Sequence, residues 1–237
     1  MTTNHPTTLD QLPKHHASAG GDAPLALFSR CGSITSMELD RLSSRLAGEM
    51  IRRGIRPGGR ALLLHQPSLN QLVCLMASWK LGITVSPVDR FIQPASLSHL
   101  IDVFKPDVAL LDPGYHRFHE LSGVMEDKNI FWLGPDAAHL PDSGELATFS
   151  NSDHPALCLF TSGSTGLPKG VVLTHSALLA GARNLVAATQ VGPRDRALCV
   201  LPLSHINGLV TTFLSPLLSG GSVVYFQEDF TPQKALE

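Results

Sequence analysis

An α/β architecture, a layered and mostly parallel sheet flanked by helices, is what this 237-residue sequence predicts. Three observations carry it. Short apolar runs of strand length alternate with stretches of helical period along most of the chain, the pattern of parallel strands joined by helical crossovers. The strand-like runs over 61–64, 108–111 and 156–160 are apolar throughout, as strands buried on both faces are. A segment rich in glycine and hydroxyls follows the last of them directly, and α/β sheets collect ligands beyond the carboxyl ends of their strands.

Taken in order, residues 1–22 read as a leader with a short helix around 9–16, and 24–28 as a strand. Thr35 and Glu38 then make a capping box, with Ile34 and Leu39 placed as a hydrophobic staple. The helix they start carries Leu39, Leu42, Leu46 and Met50 on one face and ends near Gly54. The turn Pro57-Gly58-Gly59 hands over to a strand over 61–64. A helix over 68–79 turns Leu72, Leu75, Met76 and Trp79 inward, and Gly82 stops it before a short strand over 83–85. A helix over 95–104, a strand over 108–111, a weak helix over 116–124 and a strand over 129–133 complete a first α/β part, residues 23–133. From 134 to 154 the pattern dissolves into Pro, Asp, Ser and Gly, which reads as a connection. The second α/β part, residues 155–237, has strands over 156–160 and 171–173. A helix follows from Thr174 or His175, with Leu178, Ala182, Leu185, Val186 and Thr189 inward. A strand over 197–201, a helix over 208–218 and a strand over 222–226 come next. Residues 231–237 read as the first turn of a further helix, so this part is expected to be truncated at its C-terminal end.

Composition narrows the function. A hydrophobic fraction of 43% with 16% charged residues suits a soluble, well-filled core. The formal net charge of -2 supports neither a nucleic-acid nor an anionic-membrane partner. Residues 197–227 contain no Asp, Glu, Lys or Arg, but Pro202, His205, Asn207, Pro216 and Gly220-Gly221 break them into pieces too short to span lipid. The four cysteines form no C-x-x-C pair, which points to buried, reduced thiols in a cytoplasmic protein.

The chemistry concentrates in two places. Residues 159–170 read LFTSGSTGLPKG. Gly163, Gly166 and Gly170 let backbone amides turn toward a common anion, while Thr161, Ser162, Ser164 and Thr165 add short hydroxyl donors. Pro168 stiffens the exit, and Lys169 brings a mobile positive charge suited to a polyphosphate. A Walker A loop is excluded, because Pro168 precedes Lys169 and Gly170 follows it where Ser or Thr is required. The second place is Leu201–Leu209, LPLSHINGL, between a buried strand and a helix, so that His205, Asn207 and Gly208 fall at the edge of a cleft.

Residues 161–170 resemble, without a departure, the T-S-G-[ST]-T-G-x-P-K-G signature loop of the adenylate-forming (AMP-binding) superfamily, which includes acyl-CoA synthetases, luciferases and peptide-synthetase adenylation domains. Residues 202–209 resemble the P-L-x-H-x-x-G-L of its acyl- and aryl-CoA synthetases. Elsewhere the likeness is less specific: Pro87-Val88-Asp89-Arg90 keeps the family's proline and late arginine, and Ser204 stands where relatives often have an aromatic. The resemblance implies the N-terminal part of an adenylate-forming enzyme's large domain. In such an enzyme a carboxylate attacks the ATP α-phosphate, pyrophosphate leaves, and the acyl group passes from AMP to a thiol.

By the same likeness, Thr161, Ser162, Gly163, Ser164, Thr165, Gly166 and Lys169 bind the nucleotide phosphates. Lys169 and His205 are the catalytic candidates, with His205 as a wall beside the carboxylate and α-phosphate. His205, Asn207 and Gly208 border the substrate pocket, and Thr165 is the candidate metal contact. ATP, Mg²⁺ and coenzyme A are the implied cofactors, and a carboxylic acid is the substrate. The family's adenine and ribose segments and its distal lysine have no counterpart in 209–237. A missing C-terminal portion or complementary chain is therefore expected, and the isolated chain should be inactive or weakly active. Two further readings stay open: a non-catalytic ATP- or phosphate-binding scaffold module derived from such an enzyme, and adenylation of an amino acid or other carboxylate for a carrier thiol.

Overall fold

The computed structural model describes residues 5–20, 24–28, 32–89, 91–112, 130–132, 140–142, 146, 149–161, 168–227, 231 and 233. A 3₁₀ turn, Leu9–Gln11, opens into α1 (Leu12–Gly20), followed by β1 (Pro24–Phe28), β2 (Gly32–Thr35) and α2 (Ser36–Arg52). The capping box forms as the sequence predicts. The Thr35 hydroxyl accepts from the Glu38 amide at 3.3 Å, and the Glu38 carboxylate accepts from the Thr35 amide at 2.9 Å. Two amides that the helix itself cannot pair are satisfied in this way.

Next come β3 (Arg60–Leu64), α3 (Leu69–Lys80), β4 (Thr84–Pro87), α4 (Pro94–Phe104), β5 (Val108–Leu111) and β6 (Ile130–Trp132). Helix α3 is buried continuously from Gln71 to Trp79, well beyond the single face that its periodicity suggests. The Trp79 indole donates to the Ala156 carbonyl at 3.0 Å, so even its polar edge is spent inside.

The chain continues through β7 (Pro155–Thr161), β8 (Lys169–Thr174), α5 (His175–Thr189) and β9 (Arg196–Cys199). A π-helical stretch, Asn207–Leu214, then runs directly into α6 (Ser215–Ser219) before β10 (Ser222–Tyr225). The sequence predicts one regular helix there. The wider turn is supported by hydroxyls that take up displaced carbonyls: Thr212 donates to Gly208 at 2.6 Å and Ser215 to Val210 at 2.7 Å.

Among the described residues the strands form two sheets where the sequence suggests one. The larger has the order β6-β5-β3-β4-β7-β8 and the smaller β2-β1-β10-β9. All pairs are parallel except β7–β8 and β1–β2, which are antiparallel. The connections over 162–168 and 29–31 are too short for a parallel crossover, so both close as hairpins. The two parts read from the sequence share both sheets: β7 and β8 extend the sheet of β3–β6, while β10 pairs with β1.

Alternation along β3 and β5 sets the layers. Ala61, Leu63, Val108 and Leu110 join a core that reaches through α2 and α3 to Ala26 and Val223 of the smaller sheet. Leu62, Leu64, Ala109 and Leu111 face the other way, onto Leu97, Leu100 and Phe104 of α4. On α5 only the first half of the predicted inner face is covered. His175, Leu178, Leu179 and Ala182 are buried, Leu185 and Val186 are half-buried, and Thr189 is exposed.

The leader is docked. Leu9 and Leu12 are buried, and His16 donates through Nε2 to the Gly221 carbonyl at 2.7 Å while accepting from the Ser36 hydroxyl. The Leu9 amide donates to His175 Nδ1 at 3.1 Å. No helix among the described residues is long and apolar enough to cross a membrane. Cys74, Cys158 and Cys199 are free and buried. Cys31, the helix expected over 116–124 and most of the turn expected over 231–237 lie outside the described residues.

Candidate functional site

Strands β4 and β7 are parallel neighbours, with Val85 opposite Leu157, so their carboxyl ends meet at one edge of the larger sheet. Strand β7 ends on Thr161, whose backbone partner is Lys169, the first residue of β8. The residues that flank the predicted phosphate loop, Thr161 and Lys169, are therefore paired with each other across β7 and β8. Ser162, Gly163, Ser164, Thr165 and Gly166 lie outside the described residues, and with them the metal contact assigned to Thr165. Lys169 is exposed and sits on the strand, two residues before the strand start predicted at Val171.

Three contacts brace this hairpin. Phe160 meets Phe104 edge to face, with centroids 6.4 Å apart. The His99 ring on α4 donates through Nε2 to the Pro168 carbonyl at 3.1 Å. A Cβ on Gly170 would lie 3.0 Å from the Cys158 sulfur and 3.3 Å from the Phe160 ring, which accounts for a glycine there.

The second motif faces the hairpin from a tight turn in which the His205 amide donates to the Pro202 carbonyl at 3.0 Å. The exposed His205 ring places Nε2 3.8 Å from an Asp89 carboxylate oxygen. A cavity of about 330 Å³ gathers Asp89, Phe160, Thr161, Pro168, Ser204 and His205. The structure thus brings Thr161 and His205 together, with Lys169 directly after Pro168. It does not add Asn207, which is exposed at the start of the π-helical stretch, or Gly208, which is buried. A Cβ at 208 would come within 2.4 Å of the Pro202 carbonyl oxygen and 2.9 Å of that of Leu201. The need for glycine there comes from the motif's own backbone.

Two participants escaped the sequence reading. Asp89 follows β4 at the edge where strand polarity places ligands, so its position was a usable signal. His99 had none, because its role depends on α4 lying across the loop exit.

Burial sets the titration of the neighbours. Desolvation pushes the Cys199 thiol up to about 11 against a hydrogen bond from Thr212, and it raises Cys74 and Cys158 as well. These thiols are poor nucleophiles at neutral pH. Burial holds His65 down at about 4, although the Asp112 carboxylate 3.8 Å away works against it.

A larger cavity, about 780 Å³, opens at the opposite edge among the amino ends of β3, β4, β5 and β7. It carries Arg53, Arg56, Arg60, Thr84, Asp107 and His154 and none of the motif residues.

In a parallel α/β sheet the carboxyl edge, where both motifs lie, is where ligands collect. The chain belongs to the AMP-binding enzyme family, whose sequence profile matches residues 14–237. Over 175 residues it is 35% identical to the sulfoacetate–CoA ligase of Cupriavidus necator, covering 70% of this chain and 34% of that protein. Nonribosomal peptide synthetase 5 of Gibberella zeae is 30% identical over 201 residues, 84% of this chain and 2% of that protein. Among solved structures, ATP-bound MatB from Rhodopseudomonas palustris shares the fold with a TM-score of 0.82, at 24% identity, over 96% of this chain and 47% of that one. The chain spans less than half the length of these relatives.

Proposed function

We propose that the chain is the ATP- and carboxylate-holding portion of an AMP-forming acid–CoA ligase. The observation that supports this most directly is that one carboxyl-edge cavity joins Thr161 and Pro168, the described residues beside the phosphate loop, to His205 of the second motif. A carboxylate oxygen attacks the α-phosphorus of ATP, the bond from that phosphorus to the bridging oxygen breaks, and pyrophosphate leaves with the electron pair. The acyl carbon is then transferred to the thiol sulfur and AMP departs. In-line displacement of this kind asks for positioning and charge rather than a protein nucleophile.

Lys169 follows the charge that gathers on pyrophosphate, and the amides around Gly163 and Gly166 hold the phosphates. His205 forms a wall that brings the carboxylate against the α-phosphate, and Asp89 orients its ring. A divalent ion bound with ATP would neutralise phosphate charge. Its assigned contact is Thr165, and among the described residues no group of three His, Cys, Asp or Glu side chains could hold a metal. The cytoplasmic assignment rests on the buried free thiols.

The test is ATP–pyrophosphate exchange by the whole enzyme across a panel of carboxylic acids. Exchange should depend on the acid, and exchange of equal rate without any acid overturns the reading. The isolated chain should bind ATP weakly and exchange negligibly. A second reading, adenylation of an amino acid for a carrier thiol, is favoured by the peptide-synthetase similarity over 84% of the chain. Amino acids in the same panel decide between them.

A further inference from the structure

Behind the reaction cavity lies a smaller one, of about 110 Å³, where the carboxyl ends of the two sheets converge. His65 and Gln71 reach it from the segment after β3, Asp89 from the segment after β4, Cys199 from the end of β9 and Tyr225 from the end of β10. Val88, Asp89, Phe91 and Ser204 line both cavities, so the two adjoin with these residues between them.

The chemistry of the small cavity differs from that of its neighbour. The Ser204 hydroxyl and His65 Nδ1 are buried and have no hydrogen-bond partner among the described residues, and the His65 side chain is 0% exposed. Buried polar atoms are destabilising unless something pairs with them. Around them the polar groups are organised: the Tyr225 hydroxyl donates to Gln71 Oε1, and Gln71 Nε2 donates to the His65 carbonyl at 3.4 Å. Carboxylates at Asp89 and Asp112 lie alongside, and no cation is among the described lining residues. Burial keeps His65 neutral at working pH. A second anion would meet repulsion here, whereas a neutral donor or acceptor would find partners. The volume holds about four water-sized groups at roughly 30 Å³ each, too few for a long alkyl chain.

Resting on the ligase reading above, we propose that this cavity is a second subsite of the reaction centre, taking a short, uncharged hydrogen-bonding group, a hydroxyl or an amide, from the acid or from the thiol's chain. Serine at 204 keeps the passage open and supplies one of the partners. A site built to hydrogen-bond such a group discriminates against analogues that lack it.

Two variants of the whole enzyme test this: Ser204→Phe, which fills the passage, and Ser204→Ala, which keeps it open without the hydroxyl. Binding is read by saturation-transfer NMR with propionate, 3-hydroxypropionate, malonate and pantetheine as probes. Measured relative to propionate in the same variant, affinity for 3-hydroxypropionate or pantetheine should fall at least about tenfold in Ser204→Phe and several-fold in Ser204→Ala. Loss confined to 3-hydroxypropionate assigns the acid's end to the subsite, and loss confined to pantetheine assigns the thiol's chain. Unchanged binding of both overturns the proposal. Should Ser204→Phe lower the melting temperature, His65→Gln carries the same comparison from the other end of the cavity. Failure of the ligase reading is separable, since wild-type exchange would then be independent of every acid whatever these variants bind.

Discussion

The two edges of the larger sheet make opposite use of the same strands. At the amino edge the loops turn back at once and pair with each other. Gly58 donates to the Leu81 carbonyl at 2.9 Å, the Arg60 amide to Asp107 at 2.8 Å, and the Thr84 hydroxyl to the Pro155 carbonyl at 2.9 Å. The cavity there is more than twice the volume of the one at the carboxyl edge and has three arginines, of which Arg53 is bonded to Glu49 at 2.7 Å. At the carboxyl edge the cavities are smaller, but they hold both motifs together with the unpartnered Ser204 hydroxyl and His65 Nδ1. On the function proposed above, neither size nor positive charge marks the reaction centre. Strand polarity does, because parallel strands deliver long, divergent loops at their carboxyl ends.

The sharpest way to break this contrast is to remove charge from each edge in turn. In the whole enzyme, Lys169→Ala should lower acid-dependent exchange by about 10²- to 10³-fold, the usual loss when one stabiliser of a developing anion is removed. Arg56→Ala combined with Arg60→Ala should change it by less than about twofold. A larger loss from the arginine pair would move the reaction to the other edge.

Acid probes both regions through buried histidines. His65 at the carboxyl edge and His175, beside His154, are each lowered to about 4, chiefly by desolvation. Above the ordinary value of 6.5 both are neutral whether folded or unfolded. Between 6.5 and about 4 the unfolded chain takes up protons that the folded one refuses, so stability falls as pH falls. The loss is on the order of 3 kcal/mol per histidine by pH 4. Thermal unfolding from pH 7 to 4.5 should show a drop on the order of 10 °C. His175→Asn should make the profile shallower, and an unaltered profile would show that His175 is not buried as described.

A smaller effect belongs to the second motif. Gly208→Ala forces a Cβ against the Pro202 carbonyl and should cost about 1–3 kcal/mol in denaturant unfolding. Gly181→Ala on α5, where the nearest atom is 3.8 Å away, should instead gain about 0.5–1 kcal/mol. Comparable in size is Thr35→Ala, remote from both edges, which should remove about 1 kcal/mol of stability and leave exchange unchanged.

What the sequence made legible was local. The Thr35–Glu38 capping box, the strands over 24–28 and 108–111, and the α4 helix all depend on neighbours a few residues away, and each lies where the pattern put it. The sequence put each motif at the end of a strand, and Thr161 and His205 line one cavity, which is a matter of packing and not yet of function. Division into two sheets was not legible, because pairing of β1 with β10 leaves no trace in either segment's periodicity. The same holds for the burial of α3 on all sides and for the π-helical register after Asn207, which answer to distant packing. Gly208 was placed at the border of the substrate pocket, and the Pro202 carbonyl beside it shows that the motif's own backbone needs a glycine there.

The docking of the N-terminal segment constrains how the protein can be made. His15 meets the Leu218 carbonyl across 203 residues and His16 that of Gly221 across 205, while Leu9 meets His175 across 166. On the ribosome, α1 and β1 emerge before β10 and wait without these partners until it has been synthesised. The smaller sheet is therefore assembled late, and until then the apolar strand β1 has to be kept from other chains.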